Sequence, residues 1–397
     1  MHSLFPPSSS SAEHSLSSAR DGSEKAELPP TTPAFLYDLH GIAAEAEKLS
    51  AIADRTGCRA LYAVKALALP EVVRTIAEPL DGLAVSSLAE ARLARAELDA
   101  LEEVRPRTLQ LTTPGLRPYE VAELAKLCDT VVFNSLSQWR RHGVRVSASG
   151  TACAVRVNPQ LSWLDDDRYD PCRAHSQLGV PLSQLAALWA ETPQECTALR
   201  GLHFHNNHRA TTTDAIEATV RHLAAKLGPL LQHIDWLNVG GGYEFAEMDD
   251  AALAPLKHTA SWLLEAFDTQ LQIEPGGTLV RRHGWLVASV VDLFESDGHS
   301  IAVLDTSVAH LAELFEYQRP ATVRGHNPLG AHAYTLVGSS CLAGDRFGHF
   351  RFDEPLRLDQ RIVFADVGAY ALSKVQQFNG LQPPAVLLRK GERGGKS

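Results

Sequence analysis

The run Leu61-Tyr62-Ala63-Val64-Lys65-Ala66 places a single lysine at the end of an apolar stretch. At the mouth of a packed core, desolvation lowers a lysine's pKa and frees the neutral, nucleophilic amine that Schiff-base chemistry needs. The plainer alternative is a solvated residue after a buried strand, because lysines usually stay exposed. A second candidate is Gly240-Gly241-Gly242, which also follows an apolar run. Without Cβ atoms its N–H groups can approach an anion, and a phosphate is the natural guest. A tight turn explains three glycines equally well, and their spacing matches neither a Walker loop nor Gly-x-Gly-x-x-Gly.

Glu274 closes another apolar run, where a carboxylate needs a cationic or hydrogen-bonding partner. A protonated pyridine nitrogen would be one such partner; Arg156, in a structural ion pair, would be another. His205 is either a satisfied histidine of a packed interior or a stacking surface for an aromatic cofactor ring. A rim lysine, a glycine-rich phosphate cradle, a stacking histidine and a carboxylate for a ring nitrogen together describe a site for pyridoxal 5′-phosphate. The pyridinium of that cofactor accepts electrons released at a substrate's α-carbon.

These residues need a scaffold that gathers them. Short apolar, β-branched runs at 59–65, 82–87, 108–113, 130–134, 152–158, 200–206, 235–240 and 271–274 alternate with Ala/Leu/Glu/Arg-rich segments of helical length. Eight strands alternating with helices predict an α/β fold, a (β/α)8 TIM-like barrel, better than an open doubly wound sheet. In such a barrel the functional groups sit at the C-terminal ends of the strands. Lys65, Ser87, Arg156, His205, Gly240 to Gly242 and Glu274 all fall there, so Ser87 and Arg156 join the candidate cofactor ligands. After residue 280 the pattern changes to short strands with turn signals, which predicts a C-terminal β domain over 280–397. The barrel is expected over 33–279, with its first strand near 34–39 able to join the β domain. Residues 1–32, with Ser8-Ser9-Ser10-Ser11 and several prolines, are expected to form a flexible tail.

Composition narrows the function classes. A chain of 397 residues, 45% hydrophobic and 21% charged, suits a soluble globular protein. A formal net charge of −10 argues against general nucleic-acid binding and is compatible with attraction of a cationic small substrate. No segment has the ~18–20 consecutive apolar residues of a membrane span, and the N-terminus lacks a signal peptide's basic start and apolar centre. A cytoplasmic location is the expectation. The six cysteines, Cys58, Cys128, Cys153, Cys172, Cys196 and Cys341, include no Cys-x-x-Cys pair, so neither a zinc site nor a disulfide framework is expected. Most are expected to be small core residues.

Tyr62-Ala63-Val64-Lys65, His205, Gly240-Gly241-Gly242, Glu274-Pro275-Gly276, Cys341 and Gly368-Ala369-Tyr370 resemble the fold-type III decarboxylases that use pyridoxal phosphate, the alanine racemase and ornithine/diaminopimelate decarboxylase superfamily. The resemblance spans about residues 33 to 389. Within it, the carboxynorspermidine/carboxyspermidine decarboxylase branch is similar in Phe133-Asn134-Ser135-Leu136-Ser137-Gln138, Tyr169-Asp170-Pro171-Cys172, Cys341-Leu342-Ala343-Gly344-Asp345 and Phe378-Asn379-Gly380. The resemblance implies that Lys65 bears the cofactor, His205 stacks on its ring, Glu274 binds the ring nitrogen, and Gly240, Gly241, Gly242 and Tyr370 hold the phosphate. It implies a homodimer with shared active sites, across whose interface Cys341, as proton donor, and Asp345 are contributed.

The departures concern substrate recognition. The polyamine branch carries an acid one place after Glu-Pro-Gly, where Gly277 stands; its His-Met-Pro-Asp segment becomes His310-Leu311-Ala312-Glu313. A missing carboxylate removes a charge-assisted bond to a substrate ammonium, worth ~1.5–3 kcal/mol. Gly277, Glu313 and Asp345 are therefore the candidate substrate-binding positions. Arg209 and Arg281-Arg282 suit a carboxylated substrate or are solvated surface. The expected activity is decarboxylation of an elongated amino acid such as carboxynorspermidine or carboxyspermidine. A citryl-diamino acid of siderophore assembly is the alternative. An amino-acid racemase of the same fold would need a second base, commonly a tyrosine, opposite the lysine.

Overall fold

The computed structural model describes residues 28–102, 105–316 and 319–390; most of the expected tail, residues 1–27, lies outside them. Pro30 and Thr32 are held against the C-terminal sheet, by Arg361 donating to the Pro30 carbonyl (3.1 Å) and Thr32 donating to Asp305 (2.5 Å). The ordered chain opens with β1 (Ala34–Asp38) and α1 (Leu39–Thr56), whose N-cap Asp38 accepts from the His40 N–H.

Parallel strands then follow: β2 (Arg59–Ala63), β3 (Gly82–Val85), β4 (Thr108–Thr113), β5 (Thr130–Phe133) and β6 (Ala152–Asn158). A two-residue β7 (Val180–Pro181) flanks β6. The series continues with β8 (Leu199–His203), β9 (Trp236–Asn238) and β10 (Gln270–Ile273). The ring closes because β5 pairs with β6 and β10 pairs with β2, leaving no free edge in the eight-stranded barrel. The helices between them are α2 (Pro70–Ala77), α3 (Leu88–Asp99), α4 (Val121–Leu127), α5 (Leu136–Ser147), α6 (Leu182–Glu191), α7 (Asp214–Leu231) and α8 (Asp250–Phe267). Strands and helix faces bury a continuous core that includes Tyr62, Leu83, Leu111, Phe133, Leu202, Leu237 and Ile273. No helix of the described residues is long and apolar enough to cross a membrane.

Two helices start by the same device. Ser87 accepts from the Glu90 N–H (3.2 Å) while Glu90 accepts from the Ser86 N–H (2.7 Å). Ser135 accepts from the Gln138 N–H (3.2 Å) while Gln138 accepts from the Asn134 N–H (2.8 Å). The spacing Ser-x-x-Glu/Gln satisfies two otherwise orphaned donors at each helix start, and it fixes the loops leaving β3 and β5.

A four-residue α9 (Gly277–Val280) leads into the second sheet. That sheet contains β11 (Gly284–Ser296), β12 (His299–Leu304), β13 (Thr322–Val323), β14 (His332–Val337), β15 (Arg346–Phe352), β16 (Arg361–Ala365) and β17 (Ala385–Arg389). Its order is β13-β16-β11-β12-β14-β15, and α10 (Ala312–Glu316) follows β12. β1 belongs to this sheet, antiparallel to β11 and parallel to β17. The β domain is thus tied to the barrel at both ends of the chain, and the Ala369–Tyr370 loop after β16 reaches the barrel rim.

Candidate active site

The predicted first strand ends two residues early. Val64–Ala66 forms a single 3₁₀ turn after β2, closed by the Leu67 N–H on the Val64 carbonyl (3.1 Å). This turn lifts Lys65 off the strand into a cavity at the C-terminal rim, shared with His205, Gly241, Gly242, Glu274, Gly276 and Tyr370. Lys65 is exposed where it opens on this cavity, with the neighbouring Val64 and Ala66 buried. Desolvation lowers its pKa, against the raising influence of Glu274 and together with the repulsion of Arg156.

Glu274 follows β10, with its side chain one-tenth exposed. Its Oε1 accepts from Gln110 on β4 (2.8 Å) and Asn238 on β9 (2.9 Å), and its Oε2 lies 3.5 Å from His203 Nε2 on β8. Burial alone would raise the carboxyl's pKa; the His203 contact and the Lys65 charge overcome it and hold the group well below the usual carboxylate range, at about 2. The Arg156 ion pair is not formed: Arg156 is buried on β6 and makes no hydrogen bond or ion pair with Glu274. Burial brings its pKa down to about 10, opposed by the Glu274 charge.

His205 accepts at Nδ1 from the Gly241 N–H (3.1 Å). The imidazole proton therefore lies on Nε2. Burial, Lys65 and Arg156 push the pKa well below 6.5, so the ring is a neutral aromatic surface.

The triple glycine is required by close approach. A Cβ on Gly241 would lie 2.1 Å from the Glu274 carbonyl oxygen. Gly242 has φ of +89°, and a Cβ there would lie 2.0 Å from the Asn207 carbonyl oxygen. The loops after β8, β9 and β10 thus pack backbone on backbone, which brings Gly241 and Gly242 to the cavity wall. Tyr370 is held at a φ of +64°, unusual for a bulky side chain, by donating its N–H to the Ala66 carbonyl (2.8 Å). The turn bearing Lys65 is thereby clamped to the β domain.

The other candidates are placed differently. Ser87 is exposed, serves as the N-cap of α3 and is not part of the cavity wall. Gly277 lines the cavity, whereas Glu313 is ion-paired to Lys374 (3.7 Å). Asp345 is 3% exposed and accepts from the Val308 N–H (2.7 Å), the Ser340 N–H (3.1 Å) and the Ser340 hydroxyl (2.5 Å). One oxygen holds the Val308 N–H of the segment after β12 and the other holds its own loop, so both are engaged within the chain. Cys341, on that loop, is exposed, while the other five cysteines are buried. The core expectation holds for those five, and Cys341, set apart by the family resemblance, lies at the surface.

At the mouth, Tyr169 stacks on His208 (4.6 Å), and Arg319 donates to His208 Nε2 (2.9 Å). Burial and the nearby Arg319, Arg281 and Arg209 bring the His208 pKa down to about 4. Asp170 orders the preceding loop, accepting from Ser162 (2.5 Å) and the Cys172 N–H (2.7 Å).

Sequence reasoning missed Gln110, His203 and Asn238. Each is a polar residue flanked by apolar neighbours inside a barrel strand, the signature of a side chain turned into the barrel.

A family description, pyridoxal-dependent decarboxylase, C-terminal sheet domain, matches residues 34–368. The chain belongs to the pyridoxal-dependent decarboxylases. It is 30% identical to the carboxynorspermidine/carboxyspermidine decarboxylase of Herminiimonas arsenicoxydans, over 91% of this chain and 94% of that one. It is 32% identical to the carboxyaminopropylagmatine decarboxylase of Synechocystis sp., over 84% of each. Among solved structures, Campylobacter jejuni carboxynorspermidine decarboxylase complexed with norspermidine superimposes with a TM-score of 0.77 at 27% identity, covering 90% of this chain and 94% of that one. Diaminopimelate decarboxylase of Helicobacter pylori reaches the same score at 19% identity, covering 91% and 92%, a likeness of fold. The donor set of this decarboxylase fits its family's cofactor: an amine of lowered basicity, an ionised carboxylate for a ring nitrogen, a neutral aromatic face, and a glycine-walled recess beside Arg281, whose Nε is buried without a partner.

Proposed function

We propose that this decarboxylase removes the α-carboxylate of an elongated amino-acid substrate, with carboxynorspermidine and carboxyspermidine as the first candidates. The observation that carries the reading is Lys65 and an ionised Glu274 lining one cavity; the names of the relatives supply the substrate class. Lys65 would hold the cofactor through Nζ, its lowered basicity favouring the neutral amine that such attachment needs. Glu274 would keep a ring nitrogen protonated, its orientation fixed by Gln110, Asn238 and His203. When bound, the cofactor supplies the electron sink for the pair released as CO2 departs. His205 offers a flat face without adding a competing positive charge.

Cys341 stands outside the cavity wall of its own subunit, on an exposed loop with Leu342 and near Phe378, each 46% exposed. We therefore propose a homodimer in which Cys341 enters the neighbouring site and returns the proton to the α-carbon. Asp345 supports that entry by holding the loop.

Turnover of both polyamine substrates is measured as CO2 release by the loaded protein. Release that disappears in Lys65→Ala, with protonation at the α-carbon impaired in Cys341→Ala, supports the reading; no release from either substrate overturns it. A citryl-diamino acid is the second reading. It is favoured by Arg209 on the cavity wall and by Glu244, the wall's other carboxylate, being ion-paired to that arginine (3.3 Å). Turnover of the citryl compound alone would establish it.

A further inference from the structure

Arg281 follows α9 directly, and its guanidinium doubles back over Gly277. A Cβ built on Gly277 would lie 2.8 Å from Arg281 Nη2 and 3.5 Å from the Ala369 Cβ. Any side chain at 277 would compete with the guanidinium for the same space, so the glycine makes room for the arginine. The group lines the cavity beside Gly241, Gly242, Gly276 and Tyr370. Its Nε is buried without a hydrogen-bond partner, and among the described residues no carboxylate lies within ion-pair distance of it. The neighbouring cations differ: Arg282 is paired with Glu247 (2.7 Å) and Arg209 with Glu244 (3.3 Å).

A guanidinium drawn partly out of water needs a counter-charge, and here the space it faces is the cavity. Its planar fork can grip two oxygens of one anion at once. The surrounding glycines leave a third oxygen free to meet backbone N–H groups, with the Tyr370 side chain on the same wall. A tetrahedral phosphate uses all of these contacts, whereas a carboxylate has too few oxygens.

We propose that Arg281 anchors the phosphate of the cofactor and that Gly277 is required because of the approach Arg281 makes. The inference rests on the cofactor site proposed above and adds to it a residue, together with a reason for Gly277 that does not involve substrate.

The test titrates apo-protein with pyridoxal phosphate and, separately, with pyridoxal, which lacks the phosphate. Arg281→Ala should raise the Kd for pyridoxal phosphate about ten- to a hundredfold, the loss expected for a charge-assisted bidentate contact, and leave pyridoxal binding unchanged. Arg281→Lys, which keeps the charge without the fork, should fall between, and it serves should the alanine variant not fold. Arg282→Ala should bind as wild type. Gly277→Ala should weaken pyridoxal phosphate binding in the wild-type background and add nothing in Arg281→Ala, because it acts only through the displaced guanidinium. The proposal is overturned by an Arg281→Ala protein that binds pyridoxal phosphate as wild type does, that weakens both ligands equally, or that raises only the KM for the amino-acid substrate. Wild-type apo-protein that takes up no pyridoxal phosphate would overturn the cofactor site itself.

Discussion

Removing the Asp345 carboxylate separates a residue that shapes a loop from one that reads a substrate. Asp345→Ala leaves the Val308 and Ser340 N–H groups without their acceptor, while the half-buried Ser340 hydroxyl can turn to water. Each orphaned buried donor costs ~1–3 kcal/mol, so the pair costs ~2–6 kcal/mol. For a chain of 397 residues, with an unfolding entropy of ~2.1 cal/mol/K per residue, that corresponds to a melting temperature lowered by about 2–7 °C. The loop that carries Cys341 should also loosen. Cys341 is the exposed thiol among five buried ones, so the fast phase of thiol modification reports on it alone and should change rate several-fold. Pyridoxal phosphate retention at Lys65 should stay as in wild type. An Asp345→Ala protein with unchanged melting temperature and Cys341 reactivity but a raised KM would refute the reasoning and return Asp345 to the substrate.

Asn238→Leu should lower kcat about tenfold or more by stripping a donor from Glu274, with absorbance of the bound cofactor becoming more sensitive to pH; an unchanged profile would mean that His203 and Gln110 suffice. Gly241→Ala sets a methyl 2.1 Å from the Glu274 carbonyl oxygen, a backbone clash that cannot be relieved by a rotamer; purified protein should carry little cofactor, measured as its molar ratio to chain. His203, His205 and His208 are held neutral first by burial, with folded pKa values below 6.5, His208 at about 4. The unfolded chain takes up protons below ~6.5 that the folded chain refuses, so apo-protein stability should fall as the pH drops from about 6.5 toward 4. A melting temperature that is flat or rising over that window would contradict the assignment. His208→Asn should flatten part of the slope.

The sequence made the barrel legible because each strand is a local run whose apolar residues lie close together along the chain. The order of Lys65, His205, the glycines and Glu274 along those runs was legible for the same reason. The end of β2 was less so. Its apolar run continues through Val64, and only the 3₁₀ turn, which depends on packing against the Tyr370 loop, shows that Lys65 has left the strand. Ser87 was misread because a serine at a strand end suits a ligand and a helix cap alike; the glutamate three residues later was the available sign of a cap.

By itself the sequence placed the candidate groups at the rim: one lysine, one carboxylate, one histidine and a segment without Cβ atoms, each at the end of a barrel strand. The tertiary structure decided which groups serve them. Gln110 meets Glu274 across 164 residues of chain and Asn238 meets it across 36, separations over which no local pattern carries information. The same holds for which arginine enters the cavity and which way Asp345 turns. Those outcomes depend on where a helix of four residues ends and which loop it faces, and such geometry is fixed by packing alone.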